Sequence, residues 1–440
     1  MNISFLKDKI FSIVFLIGMS SSVFAEQKIM LPIQHWITST QTPVYFVKTP
    51  ELPILELRLI FDAGSRRDGQ YPGIAELTHN LIREGTAKLS AEQVAHQLEN
   101  IGAIFHTSND QDMAIISLRT LTQQNFLTPA LETLTALVNA PSFSSQGFLH
   151  QQKLLLSLLD HQEQSPADLA ENALFAALYP HHPYKTPPIG TKKSVLKLTP
   201  EQIANFYRQY YSAQNAHIVM VGDLSLGQAK KIATMICRKL PQGTQAPKLG
   251  EVAPTTAEKI QKITYDSEQT HILMGQIGIN RSDSNYFPLY VGNHILGGDP
   301  LVSKLGQSVR EQKGLAYDIH SYFFPLACKG PFLISFQTRS QKAQLALDTA
   351  RKTLKNFIAK KPLETDLQAA KDNIIKGYSL RFDSNRAIAG NLVVLAYYDL
   401  PLDYFNTFTD KVLAVTREQV HTAFKAQVKP ENMVVVFLGK

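Results

Sequence analysis

Glu76, His79 and Asn80 are the first residues in the chain whose types and spacing could do chemistry. They lie in the run Gly-Ile-Ala-Glu-Leu-Thr-His-Asn-Leu-Ile-Arg-Glu-Gly-Thr at residues 73–86. Ala75, Leu77, Leu81 and Ile82 recur there at roughly helical spacing, and Gly85 supplies a stop. A helix would set Glu76 one turn before both His79 and Asn80, so that all three can share a face. A carboxylate and an imidazole can hold a metal or move a proton. An amide is a poor ligand, however, and a catalytic zinc generally takes three protein ligands. Two donors fall short, and the face alone reads as solvated or hydrogen-bonded.

The elements that must position such a face are legible along the chain. The N-terminus carries Lys7 and Lys9, an apolar run from Ile10 to about Met19, and the exit Val23-Phe24-Ala25. That pattern reads as a secretory signal peptide over residues 1–25, cleaved after about Ala25, which places the product in the periplasm or outside the cell. No later apolar run is long enough to span a bilayer. The 440-residue chain exceeds one ordinary core, and more than one domain is expected. Residues 241–256, with Gly243, Pro247, Gly250 and Pro254, read as a connector. Domains are therefore drawn at 26–243 and 257–440, with a linker over 244–256.

The two segments end alike. Without a gap, Thr199 aligns with Thr416, Glu201 with Glu418, Gln202 with Gln419, Asn215 with Asn432 and Gly222 with Gly439. Each copy reads as a helix opened by a Thr…Gln capping box, then a turn, then a buried strand. A match of that length indicates a duplicated domain. The expected fold class is α+β: two homologous sandwich domains, each a mixed or antiparallel sheet with helices packed on one face. In the first, Ser90 and Gln93 open a further helix, and strands over 103–107 and 113–118 flank a turn at Asn109-Asp110. Such a strand, at a sheet edge, could accept an extended peptide. Helices are expected over 123–138, 145–159 and 166–178.

The net charge of +7 is spread through the chain with no nucleic-acid motif, and argues weakly for acidic partners. Cys237 and Cys328, the only cysteines, fall in different halves and read as free or buried thiols.

Three further motifs follow in order. They are Leu178-Tyr179-Pro180-x-His182-Pro183-Tyr184 with Gly190-Thr191, then Ile295-Leu296-Gly297-Gly298 with Ser303-Lys304-Leu305, then Arg310-Glu311-x-x-Gly314-Leu315-Ala316-Tyr317. Together with residues 73–86 they resemble the pitrilysin/insulinase family of zinc peptidases, over essentially the whole chain after the leader. The family's zinc helix reads H-x-x-E-H, with histidines on the metal and a glutamate taking a proton from its water. Here Glu76, His79 and Asn80 occupy those positions. The family's third ligand, a downstream glutamate, would fall near Leu158, and residues 151–159 contain no acid; Asp160 is the nearest.

The resemblance thus implies a chain without its own metal, similar to the subunit of two-subunit bacterial members that binds no zinc. Its partner would be a homologous H-x-x-E-H subunit that holds the zinc, and the two half-shells would enclose a chamber for peptides. Arg310 and Tyr317 would act in trans on the substrate carbonyl, as donors to its oxyanion. Gly297 and Gly298 would let a peptide or a neighbouring backbone approach closely. The alternative is a catalytically inactive homodimeric scaffold or peptide-binding protein of the same fold. A self-sufficient enzyme would need a third ligand beside Glu76 and His79.

Overall fold

The computed structural model describes residues 30–299 and 301–440. The expected signal peptide lies outside the described residues.

Two sheets of matching design organise the chain. The first contains β1 (Gln34–Ile37), β2 (Pro43–Lys48), β3 (Ile54–Phe61), β4 (Ile104–Asn109), β5 (Ala114–Leu121) and β6 (Ala216–Gly222), in the order β1-β2-β6-β3-β5-β4. The second contains β7 (Lys259–Thr264), β8 (Gln269–Ile277), β9 (Ala316–Phe323), β10 (Pro331–Arg339) and β11 (Val434–Gly439), in the order β7-β11-β8-β10-β9. One pair in each sheet is parallel, β2 with β6 and β7 with β11; the remaining pairs are antiparallel. Apart from β1, the second order repeats the first strand for strand, the architecture expected of a duplication. Both capping boxes are present, at Thr199 with Gln202 and at Thr416 with Gln419.

Each sheet buries one face under helices of its own half. In the first, Leu57, Leu59 and Phe61 of β3 meet Leu77 and Leu81 of the helix Ile74–Leu81 and Ile203 of the helix Pro200–Tyr210. The equivalent core of the second half contains Ile272, Met274, Ile334, Leu347 and Phe424.

The opposite faces are covered by exchange between halves, which the sequence did not lead us to expect. The helix Pro166–Leu178, from the first half, lays Leu174 and Phe175 against Leu273, Leu333, Val434 and Val436 of the second sheet. The helix Asn385–Tyr397, from the second half, lays Ile388, Leu392 and Leu395 against Tyr45, Ile60, Val219 and Val221 of the first. Burying each such side chain is worth about 1.5–3 kcal/mol, so the exchange binds the halves strongly. The connector adds to this. It has no helix or strand over 241–257, yet Arg67 donates to the Pro247 carbonyl and Ala246 N–H to Asn215 Oδ1, and Val252 is buried with the exchanged helix.

A buried polar knot completes the junction. Asp112, in the turn between β4 and β5, is fully buried and accepts from the Tyr184 hydroxyl at 2.5 Å and the Ala327 N–H at 2.8 Å. The Arg66 guanidinium lies 3.2 Å away and also bonds Asp62 and the Tyr397 hydroxyl. No sequence pattern singled out this aspartate. No helix among the described residues is long and apolar enough to cross a membrane.

Candidate functional site

The helix Ile74–Leu81 begins at Gly73, whose φ of 91° is a conformation open chiefly to glycine. Its N-terminal amides are satisfied from outside the helix. The buried carboxylate of Asp68 accepts from Gly73 N–H at 2.7 Å and Ala75 N–H at 3.0 Å. Burial pushes the Asp68 carboxyl up to about 8, against the pull of those two amides.

On this helix Glu76 and Asn80 do face one another, with Asn80 Nδ2 donating to Glu76 at 2.9 Å. Asn109, the last residue of the edge strand β4, donates to the other Glu76 oxygen at 3.3 Å. Burial raises the Glu76 carboxyl, and the two amides oppose that rise. His79 goes elsewhere. It is 1% exposed, and its Nδ1 lies 3.1 Å from the Tyr211 hydroxyl in the core. Burial, reinforced by the charges of Arg83 and His106, holds its pKa down to about 3, so the ring is neutral at ordinary pH. The shared face expected of the three residues is thus divided, because Tyr211 captures the imidazole.

The donors left at the positions of a zinc site do not fit the metal. Glu76 is committed to two amides and His79 to a phenol, while Leu158 stands 46% exposed on the helix Ser145–Gln162. Asp160, the nearest acid, is paired with Lys192. Among the described residues no group of three His, Cys, Asp or Glu side chains could hold a metal ion. His182, in the motif that runs from Leu178 to Tyr184, caps a short turn by accepting from Tyr184 N–H.

Arg310 and Tyr317 lie side by side. Arg310 lies in the last turn of a π-helical segment over Gly306–Glu311, and Gly314 turns the chain at φ 56°. Tyr317 is the second residue of β9. The Arg310 guanidinium lies 5.3 Å from the centre of the Tyr317 ring, and Tyr317 is 87% exposed. Among the described residues neither side chain has an ion-pair or hydrogen-bond partner, so both remain available to a ligand. They line an open cleft of about 860 Å³ on the sheet edge, with Gln269, Asp318, His320, Ser335, Gln337 and Arg339.

Every residue of that cleft belongs to the second half, and Glu76, His79 and Asn80 take no part in it. Gly297 and Gly298 are absent from its walls as well. Gly297 is buried, and a Cβ there would come within 2.5 Å of Ser321 Oγ and 2.7 Å of Ser321 N. The backbone that approaches it is strand β9 of the same chain. Gly298 is exposed and meets nothing closer than 3.3 Å.

A duplicated α+β chain with a disabled metal helix and a guanidinium–phenol pair in an open cleft defines an inactive peptidase-like protein. The insulinase family model, peptidase M16, matches residues 44–192, and the model of the peptidase M16 inactive domain matches residues 197–374. A crystal structure of a peptidase M16 inactive domain from Pseudomonas fluorescens is 34% identical, with a TM-score of 0.90 over 93% of this chain and 98% of that one. The chain belongs to the M16 peptidase family, as an inactive homologue. It is also 24% identical over 430 residues to the non-peptidase homolog YmxG of Helicobacter pylori, covering 97% of this chain and 98% of that protein. The fold is shared with a protease of known structure from Helicobacter pylori, at a TM-score of 0.85 and 17% identity over 93% of this chain and all of that one.

Proposed function

We propose that this chain is the subunit without zinc of a two-subunit periplasmic peptidase. The observation that carries the reading is the contrast between its two sites. The metal helix is locked into hydrogen bonds, whereas the exposed Tyr317 phenol and the half-buried Arg310 guanidinium beside it have no hydrogen-bond or ion-pair partner among the described residues and line an open cleft. A relic pair with no remaining task would be expected to acquire partners or be lost.

A homologous chain with an intact H-x-x-E-H helix would supply the metal, its activated water and the general base. This chain holds the peptide. Guanidinium N–H and phenol O–H groups are both donors, and each can bond the carbonyl oxygen as negative charge builds on it. The edge of β9 at Tyr317 gives an extended substrate a rigid wall, and chambered access would favour unfolded segments over folded proteins.

The test is co-expression with an H-x-x-E-H chain encoded beside this one, with peptide cleavage assayed for each chain and for the mixture. Activity confined to the mixture is expected. The competing reading is a homodimeric scaffold or peptide-binding protein, and the name given to the Helicobacter relative, a non-peptidase homolog, keeps it in view. A stable homodimer, with no gain in cleavage in the mixture, would establish that reading instead.

A further inference from the structure

Strand β10 changes character along one face. Leu333 is buried beneath the exchanged helix Pro166–Leu178, but Ser335, Gln337 and Arg339 continue that face and are half-buried or exposed. The neighbouring strand changes in step. Leu273 of β8 is buried, whereas His271 and Gln269 stand opposite Gln337 and Arg339 in the register. The far end of this sheet is therefore an open polar floor beside Tyr317.

Two cations line the cleft above that floor. Arg339 approaches from the end of β10 and Arg310 from the end of the π-helical segment. The Leu315 corner ties the two ends together: Thr338 Oγ1 donates to the Leu315 carbonyl at 2.5 Å, and Leu315 N–H donates to the Val309 carbonyl at 2.9 Å. Among the described residues neither arginine has an acidic partner. Asp318 is the one carboxylate in the lining, and its oxygen lies 3.2 Å from His320 Nε2.

We propose that this cleft selects peptides bearing an acidic side chain, with Arg339 as the residue that recognises the carboxylate. The proposal rests on the reading of the cleft as a peptide site. Arg310 and Tyr317 are occupied with the carbonyl in that reading, which leaves Arg339 as the free cation on the floor. A guanidinium matches a carboxylate through two parallel N–H bonds, and Gln269 and Gln337 add amide donors beside it. The cleft volume falls within the range of ligand pockets, enough for a side chain together with its backbone.

The experiment uses two labelled, unstructured peptides that differ only in a central Glu or Gln, titrated by anisotropy against the purified full chain. The Glu peptide should bind about fivefold more tightly at low salt, with the advantage shrinking as salt is added. Arg339→Gln should remove that advantage and leave the Gln peptide unchanged, while Arg310→Gln should weaken both. Equal or reversed affinities for the wild-type chain, or an Arg339→Gln variant that affects both peptides alike, would overturn the acid selectivity and leave the peptide site standing. If neither peptide binds, both readings are overturned.

Discussion

Tyr398 donates its hydroxyl hydrogen to Asp112 at 3.0 Å, joining residues 286 positions apart. Through Asp112 the β4–β5 turn is fixed to the loop at Tyr184, to Ala327 and to the end of the exchanged helix at Tyr397, whose hydroxyl donates to the Asp112 carbonyl. Removing the carboxylate strands the Arg66 charge with Asp62 alone in a buried site. Asp112→Ala should therefore cost about 3 kcal/mol or more, and Tyr398→Phe about 1 kcal/mol, read from urea unfolding of the whole chain. Equal small losses in both variants would show that the knot is not a keystone.

Arg310→Ala or Tyr317→Phe should each lower kcat of the reconstituted two-chain peptidase by about 100- to 1000-fold, the usual loss for one oxyanion donor. Both variants should keep the wild-type thermal midpoint, since neither side chain bonds to the rest of the described fold. Unchanged turnover would remove the pair from catalysis.

The two glycines at 297 and 298 should behave differently. Ala at 297 drives a methyl into the backbone nitrogen of Ser321, and overpacking of that kind costs about 1–3 kcal/mol. Ala at 298 comes only slightly too close to the Asn293 carbonyl oxygen, at 3.3 Å, and should cost about 0.5 kcal/mol or less. Matching losses in the two variants would refute the packing role of Gly297.

The buried imidazole predicts a pH dependence with a definite sign. The pKa of His79 in the fold, about 3, lies below its ordinary value of 6.5. Its contribution is complete above about 6.5 and is lost as the pH falls toward 3. His79→Gln removes the titration and keeps a polar partner for Tyr211. The stability of wild type relative to this variant should fall by roughly 1.4 kcal/mol per pH unit below 6.5. A pH-independent difference would mean that His79 protonates as readily in the fold as outside it.

Much of this was legible in the sequence, and the boundary is a physical one. The capping boxes at Thr199 and Thr416 are closed by residues three positions away, and the duplicated α+β fold follows from them and the strands behind them. The Arg310 and Tyr317 pair is likewise local, set by a helix end, Gly314 and a strand start. The division of Glu76 from His79 was not legible, because Tyr211 reaches the imidazole from 132 positions away. The same holds for Asp112, which reads as an ordinary turn residue until distant tyrosines and an arginine surround it. The sequence marked a helix over 166–178. It carried no information about which sheet that helix would cover.

The crossed helices also constrain how such a protein can be divided. Cleaving it at the connector would give two fragments, each with a bare greasy sheet and a stray amphipathic rod, and both would be prone to aggregate. Each half therefore depends on the other to finish its own second sheet face, whatever becomes of the chemistry in either.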